Sequence, residues 1–408
     1  MAAKRQLPAL TGMRCFLALW VAVYHQFPQN DGIRISWLPH APDAVYCILR
    51  TGYIAVTIFF VLSGFVLSYN YDLGVVWSRK GVMKFGIARF SRIYPAYFLG
   101  LLLLVPFAIY RIARTFSPAT LGLEGGVAFL NWSLLQSWIP QTAQTWNFPG
   151  WSLSDEAFFY ACFPLVGVAL WRLSRFRSLL VAGLFLWVLS VLAPLWAVVQ
   201  PIAGFGDVPA STNGVGESAE LWANLVRYNP LLRLPEFCVG ILLGRAYSLV
   251  QKSGGKWFGK GSWLYLPSAL ATMVLLSYSD SIPYPLVHNG LLLPLYACVL
   301  FGLALDGGLV ARVLSSKTLV FLGNASYSMY ILHAPIASWM HILWRDAFLA
   351  IPEGPLFVAC YTAAVVLASC AVYKFFEEPL NRFLKRRLMA RLERREKLPV
   401  AVAAGPGP

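Results

Sequence analysis

The feature that most restricts this chain is the recurrence of apolar runs long enough to cross about 30 Å of hydrocarbon. They stand at residues 7–27, 51–71, 93–110, 178–200, 261–279, 285–305, 318–344 and 354–373. Inside a bilayer a segment must satisfy its own backbone N–H and C=O groups, which leaves the α-helix for isolated runs like these. Two weaker runs follow the same pattern: residues 157–171 are short, and residues 229–250 carry Arg233, Glu236 and Arg245. Counting them, the expectation is an all-α, polytopic membrane bundle of about ten transmembrane helices. Residues 125–140, shorter still and holding Asn131 and Gln136, read as re-entrant or interfacial.

Charge has to be read against that topology. The net charge is +15, yet only 12% of residues are charged and 58% are hydrophobic. In a soluble chain such an excess would suggest nucleic acid. With ten spans and a cytoplasmic N-terminus, however, 25 of the 33 lysines and arginines fall on the cytoplasmic side, as the positive-inside rule requires. The basic excess is then topological and no nucleic-acid partner is expected. Both termini are expected in the cytoplasm, most simply at a bacterial inner membrane. Residues 1–384 form one membrane domain, and residues 385–408 a basic tail that trails into LPVAVAAGPGP, a disordered composition. The opening MAAKR leads into an apolar run without a small-residue cleavage site, which reads as a retained first span. The seven cysteines are scattered without a CxxC pair, and no histidine cluster has ligand spacing, so neither disulfides nor a metal is expected. Walker, GxSxG and dinucleotide fingerprints are missing from the sequence, as is an internal repeat.

Chemistry concentrates in a few places. The first run, LPALTGMRCFLALWVAVYHQF, carries Arg14 and His25. Eleven residues at about 100° each return to nearly the same azimuth, so both side chains share a helix face, roughly 16 Å apart along the axis, and look at one groove. A guanidinium amid hydrocarbon costs on the order of 2.5–3.5 kcal/mol, so such groups face a bundle interior, a partner or a water-filled site. The same spacing fits an interfacial histidine and an arginine reaching the headgroups. In FGIARFSRIYPAYFLG, Arg89 and Arg92 lie three residues apart before the third span. They are either a positive-inside anchor or a bidentate phosphate clamp. NFPGWSLSDEAFFYACFPL places Trp151, Asp155 and Glu156 at the outer edge of a span. A carboxylate there either orients a histidine and accepts a substrate proton, or meets the dipole of a helix start. Ser63 and Gly64 in GYIAVTIFFVLSGF read as a packing notch, with Ser63 as acyl carrier the less favoured role. Arg233 and Glu236 can neutralise one another, and His333 behind Tyr327 and Tyr330 reads as a hydrogen-bonded packing histidine.

Taken in order, Arg14 and His25 with ten residues between them, FFVLSGF, RFSRIYPAY, WSLSDEAFFYACFP, RLPEFCVGILLG, LGNASYSMYILH and the closing FEEPL resemble the membrane-bound acyltransferase family 3. These multi-spanning enzymes move acetyl and other short acyl groups onto sugars and related hydroxyls. The resemblance covers about residues 7–384, and its specificity lies in the ordered set. It implies that Arg14 and His25 are required for activity and that Arg89 and Arg92 handle the donor. Glu156, Ser63 and His333 fall on recurring motif positions. It also implies a cytosolic acyl-CoA, acetyl-CoA in the first instance, as donor substrate, with no metal. His25 would be the general base on the acceptor hydroxyl, and Arg14 would bind the donor. The expected acceptor is a carbohydrate such as an exopolysaccharide, a lipopolysaccharide or a lipid-linked saccharide. A small molecule such as a macrolide is the alternative within the same architecture. The sequence shows no outer esterase-like domain of the kind some members carry, which makes transfer onto a finished outer polymer less expected. A competing reading from another class is a carrier or flippase for a glycolipid or small metabolite, since an arginine and a histidine facing a groove also suit a transport path.

Overall fold

The structure is a computed structural model that describes residues 7–27, 37–71, 78–114, 117–199, 217–254, 257–348 and 353–397. The described residues contain helices and no strand. In chain order the α-helices are α1 (Pro8–Tyr24), α2 (Asp43–Arg50), α3 (Ile54–Asn70), α4 (Arg79–Arg114), α5 (Pro118–Trp132), α6 (Trp151–Trp171), α7 (Phe176–Val199) and α8 (Glu217–Tyr228). They continue as α9 (Pro230–Lys252), α10 (Ser262–Leu276), α11 (Tyr284–His288), α12 (Leu293–Leu305), α13 (Leu309–Leu314), α14 (Lys317–Phe348), α15 (Pro355–Val372) and α16 (Glu378–Lys397).

Among the described residues, five helical segments are long and apolar enough to cross a membrane, or six when α2 and α3, bent by 47° at their junction, count as one broken span. The expectation of about ten spans is not reached by that measure, for two physical reasons. Helices α1 and α10 are apolar but run only 17 and 15 residues. At 1.5 Å per residue they reach about 26 and 23 Å, short of the roughly 30 Å hydrocarbon thickness. Helices α9 and α14 have the length but spend it on polar groups that face inward: Arg233 and Glu236 in the one, Ser326, Ser328 and His333 in the other, all buried. Residues 125–140, read as re-entrant or interfacial, form the end of α5, where Asn131 is fully buried, and a following segment with a short 3-10 turn that starts at the fully buried Gln136. The end of the basic tail, beyond residue 397, lies outside the described residues.

Packing in hydrocarbon depends on close approach rather than on expulsion of water, and glycine permits it. Helices α3 and α9 interlock through Gly64, Gly240 and Gly244: a Cβ on Gly240 would stand 2.0 Å from the Val61 carbonyl oxygen, and one on Gly64 2.1 Å from that of Phe237. The same device sets α1 against α13 and α14. A Cβ on Gly12 would meet the Leu314 carbonyl oxygen at 1.9 Å, and one on Gly323 that of Thr11 at 1.9 Å. Both contacts lie within a turn of Arg14, so they fix where its side chain enters the bundle. Beside the α3–α9 seam, Arg233 and Glu236 form the ion pair their spacing suggested, at 3.1 Å, and each is 1% exposed. Arg233 also donates to the Thr57 hydroxyl at 2.8 Å, to the His288 carbonyl oxygen at 3.0 Å and to Asn289. This cluster ties α3, α9 and α11 together.

Candidate active site

Helices α1, α3, α4, α6 and α14 line an open cavity of about 450 Å³. Four of the five singled-out side chains line it: Arg14 from α1, Arg89 and Arg92 from α4, and Glu156 from α6, with Ser63 of α3 and Tyr160 of α6 beside them. Distant stretches of sequence thus converge because each supplies one or two polar groups to the inward face of its helix.

The polar groups are ordered by one another. Ser63 Oγ donates to Glu156 Oε1 at 3.0 Å, and the Tyr160 hydroxyl donates to the same oxygen. Arg89 Nη2 donates to the Tyr71 hydroxyl at 3.0 Å, and its guanidinium lies 5.4 Å from the Tyr71 ring centroid. Its Nε is buried without a partner among the described residues. Arg92 is held by Glu377, which is fully buried and also accepts from Ser328 Oγ at 2.5 Å, and the guanidinium stands 5.7 Å from the Tyr327 ring. Glu377 occupies the end of a single π-turn, Tyr373–Glu377, between α15 and α16. Such turns frequently mark functional sites because the extra residue re-aims a side chain. Here Glu377 turns inward, while Glu378 pairs with Arg382 on the surface.

Glu156 lines this cavity from the second turn of α6, which starts at Trp151. Its neighbour Asp155 points away and is fully buried, with neither carboxylate oxygen bonded among the described residues. His25 is the candidate that does not share the cavity. It caps the far end of α1, and Arg14 lies eleven positions earlier, so the shared helix face does not become one shared groove. Its ring stacks on His333 at 5.1 Å and contacts Phe148 at 4.7 Å. The two imidazoles are prepared alike. His25 Nδ1 donates to the Val21 carbonyl oxygen at 2.8 Å, and His333 Nδ1 to that of Tyr330 at 2.6 Å. A neutral imidazole that donates from Nδ1 keeps its lone pair on Nε2. His333 Nε2 is buried with no partner among the described residues. His333 is fully buried, hydrogen-bonded through Nδ1 and packed against His25, Phe148 and Tyr330.

A separate small space lies between the two regions. Phe59 and Tyr327 of the Arg14 cavity also line a second space of about 50 Å³ reaching Ser152 and Tyr330. The Tyr330 hydroxyl bonds Ser152 Oγ at 2.8 Å, and its ring lies 5.9 Å from His333.

Sequence reasoning missed Tyr160 and Glu377. Tyr160 lies four residues after Glu156, the helical hydrogen-bond spacing, so it was open to recognition. Glu377 lay within the quoted FEEPL, but nothing in the sequence marked which glutamate faces inward. Lys84 pairs with Glu393 of α16 at 3.5 Å and is not part of the cavity wall.

The fold and this cavity with its cluster of polar side chains define a helical integral-membrane protein with a site between the helices of the bundle. Sequence comparison makes it specific: the acyltransferase domain matches residues 7–374, and the chain belongs to the membrane-bound acyltransferase family 3. It is an acyltransferase, which removes the carrier alternative. The chain is 29% identical over 399 residues to acyltransferase MdmB of Streptomyces mycarofaciens, covering 94% of this chain and 93% of the relative. It is also 22% identical to O-acetyltransferase OatA of Staphylococcus aureus (strain NCTC 8325 / PS 47) and 23% identical to the putative O-acetyltransferase SACOL0978 of strain COL. In both of these, 93% of this chain is matched to 58% of the relative, so the chain spans little more than half their length. No solved structure matches.

Proposed function

We propose that the chain transfers a short acyl group, acetyl in the first instance, from an acyl-CoA to a hydroxyl of a carbohydrate or related small molecule. It does so as a protein of the bacterial inner membrane with both termini in the cytoplasm. The observation that carries this reading is the convergence of Arg14, Arg89 and Arg92 on one cavity, with Tyr330 of the adjacent small space lying beside the stacked His25–His333 pair. Two guanidiniums held by Tyr71 and Glu377 are pre-oriented for phosphate oxygens, which need planar, charge-assisted donors. Arg14, on the same cavity, meets the polar part of the pantetheine arm. The thioester then reaches the histidines. His25 Nε2 removes the acceptor hydroxyl proton as oxygen attacks the thioester carbonyl; the C–O bond forms, the C–S bond breaks and the proton passes to the leaving thiolate. Positioned acid–base catalysis of this kind contributes roughly 10²- to 10⁴-fold.

The names of the staphylococcal relatives support an acetyl group and an oxygen acceptor. A covalent route is the second reading, favoured by Ser63 Oγ lying 3.0 Å from a carboxylate oxygen of Glu156. Membranes carrying the wild-type chain, incubated with radiolabelled acetyl-CoA, are expected to place label in a saccharide or small-molecule fraction. His25→Ala removes the transfer while the protein stays in the membrane. Ser63→Ala leaves it intact under direct transfer and abolishes it under the covalent route. Undiminished transfer by His25→Ala would sink the base assignment.

A further inference from the structure

Along the first half of α7 runs an open groove of about 610 Å³, walled mainly by α7, α9 and α12. It shares no lining residue with the Arg14 cavity. Phe176, Gly183 and Trp187 of α7, Ala246 of α9 and Ala297 of α12 line it, and no lining side chain is charged. Trp187 donates its indole N–H to the carbonyl oxygens of Gly290 and Leu291 at 3.1 and 3.2 Å, which leaves only its apolar ring for the groove. Glycine keeps the middle open: a Cβ at residue 183 would meet only Leu242 Cδ1, at 3.9 Å. Helix α7 is one of the segments long and apolar enough to cross a membrane, and its Leu180, Val181, Leu184 and Phe185 are exposed. The groove therefore opens toward hydrocarbon. From Phe176 to Trp187 is eleven residues, roughly 16 Å of helix, which is about half the hydrocarbon thickness, or one leaflet.

The Phe176 end is cationic. Residues 172–177 read RLSRFR, and Arg172, Arg175 and Arg177 are all exposed. Phe176, which lines the groove, stands between two of them. Arg245, beside Ala246 of the groove wall, donates from Nε to the Leu173 carbonyl oxygen at 2.9 Å, so the end of α9 brings a fourth guanidinium to the same turn. Positions 157–206 and 237–279 contain no aspartate or glutamate. Arg172, Arg175 and Arg177 enter no ion pair among the described residues. Asp306, at the end of α12, is 7% exposed and accepts from Tyr265. An apolar groove one leaflet deep that ends at unpaired cations is complementary to a molecule with a hydrocarbon chain and an anionic head. We propose that this groove holds one acyl chain of an anionic phospholipid, with the headgroup phosphate at the Arg175–Arg177 turn. Charge sets the class: a zwitterionic lipid fills the groove equally well but gains no net attraction from the arginines.

The test compares dioleoyl phosphatidylglycerol with dioleoyl phosphatidylcholine, identical in their chains, each added to the full-length protein delipidated in a neutral detergent. Lipid retained on the protein is read by native mass spectrometry. Wild type is expected to retain phosphatidylglycerol at about tenfold lower concentration than phosphatidylcholine, the preference that one or two basic side chains supply. Arg175→Gln combined with Arg177→Gln removes that preference and leaves phosphatidylcholine retention unchanged. Gly183→Phe, which fills the middle of the groove, lowers phosphatidylglycerol retention about tenfold, the equivalent of about two methylene groups no longer buried. If Gly183→Phe fails to accumulate, the arginine variant, altered only at exposed side chains, carries the test. Equal retention of the two lipids by wild type would mean unselective solvation by the bilayer and overturn the proposal. Undiminished preference in the arginine variant, or undiminished phosphatidylglycerol retention in Gly183→Phe, would overturn it as well.

Discussion

Replacing Glu377 by glutamine isolates what the π-turn does for the donor end of the cavity. The substitution keeps the side chain's shape and its ability to accept from Ser328, but removes the charge that holds Arg92. Breaking a fully buried ion pair by removing one partner costs about 3–5 kcal/mol. Here the Glu377 side chain is 0% exposed but that of Arg92 is 25% exposed, so water rehydrates the freed guanidinium in part. The cost then falls toward that of a single hydrogen bond to a charged group, about 1.5–3 kcal/mol. The freed Arg92 loses its orientation over Tyr327, so the donor KM rises about tenfold, equivalent to about 1.4 kcal/mol, while kcat changes less than about threefold. Thermal unfolding of detergent-solubilised protein reads the first number, and initial rates against acetyl-CoA concentration read the second. A cycle with Arg92→Ala apportions the effect: once Arg92 is gone, Glu377→Gln adds almost nothing to KM. Wild-type stability together with a wild-type donor KM in Glu377→Gln would refute the assignment of Glu377 as the residue that positions Arg92.

Further outcomes follow from the same contacts. Gly240→Ala puts a methyl group 2.0 Å from the Val61 carbonyl oxygen, so α3 and α9 must separate. The expected loss is about 1–3 kcal/mol of stability, read as a lower melting temperature in detergent; an unchanged midpoint would contradict the close approach. Arg233→Leu leaves Glu236 buried and unpaired and costs about 3–5 kcal/mol, whereas the double change Arg233→Leu with Glu236→Leu recovers most of it. A double variant no better than the single one would argue against the ion pair as the source. His333→Phe preserves the stacked ring against His25 but removes its nitrogens. Transfer is expected to fall by more than about tenfold without loss of membrane protein, and undiminished transfer would show that only the ring's shape matters.

Much of this protein is determined by the order of its residues alone. Alternating apolar runs and basic loops imply membrane helices because hydrocarbon tolerates no unsatisfied backbone. The ordered motifs from Arg14 to FEEPL suffice for the family, since each combines a polar residue with a helix register that hydrophobic patterning alone does not require. Arg14, Arg89, Arg92 and Glu156 were recognisable as candidates for the same reason: a charge on an apolar helix has to be accommodated somewhere. Where it is accommodated was decided only by packing. Helix periodicity places Arg14 and His25 on one face, yet α14 closes against α1 through Gly12 and Gly323, and Arg14 lines the cavity while His25 stacks on His333 outside it. The pairing of Glu156 with Ser63, 93 residues away in the chain, and of Arg92 with Glu377, 285 residues away, leaves no local trace. Such contacts depend on interhelical distances and on one π-turn, and these follow from the glycine seams and the summed packing of the whole bundle rather than from any neighbouring residue.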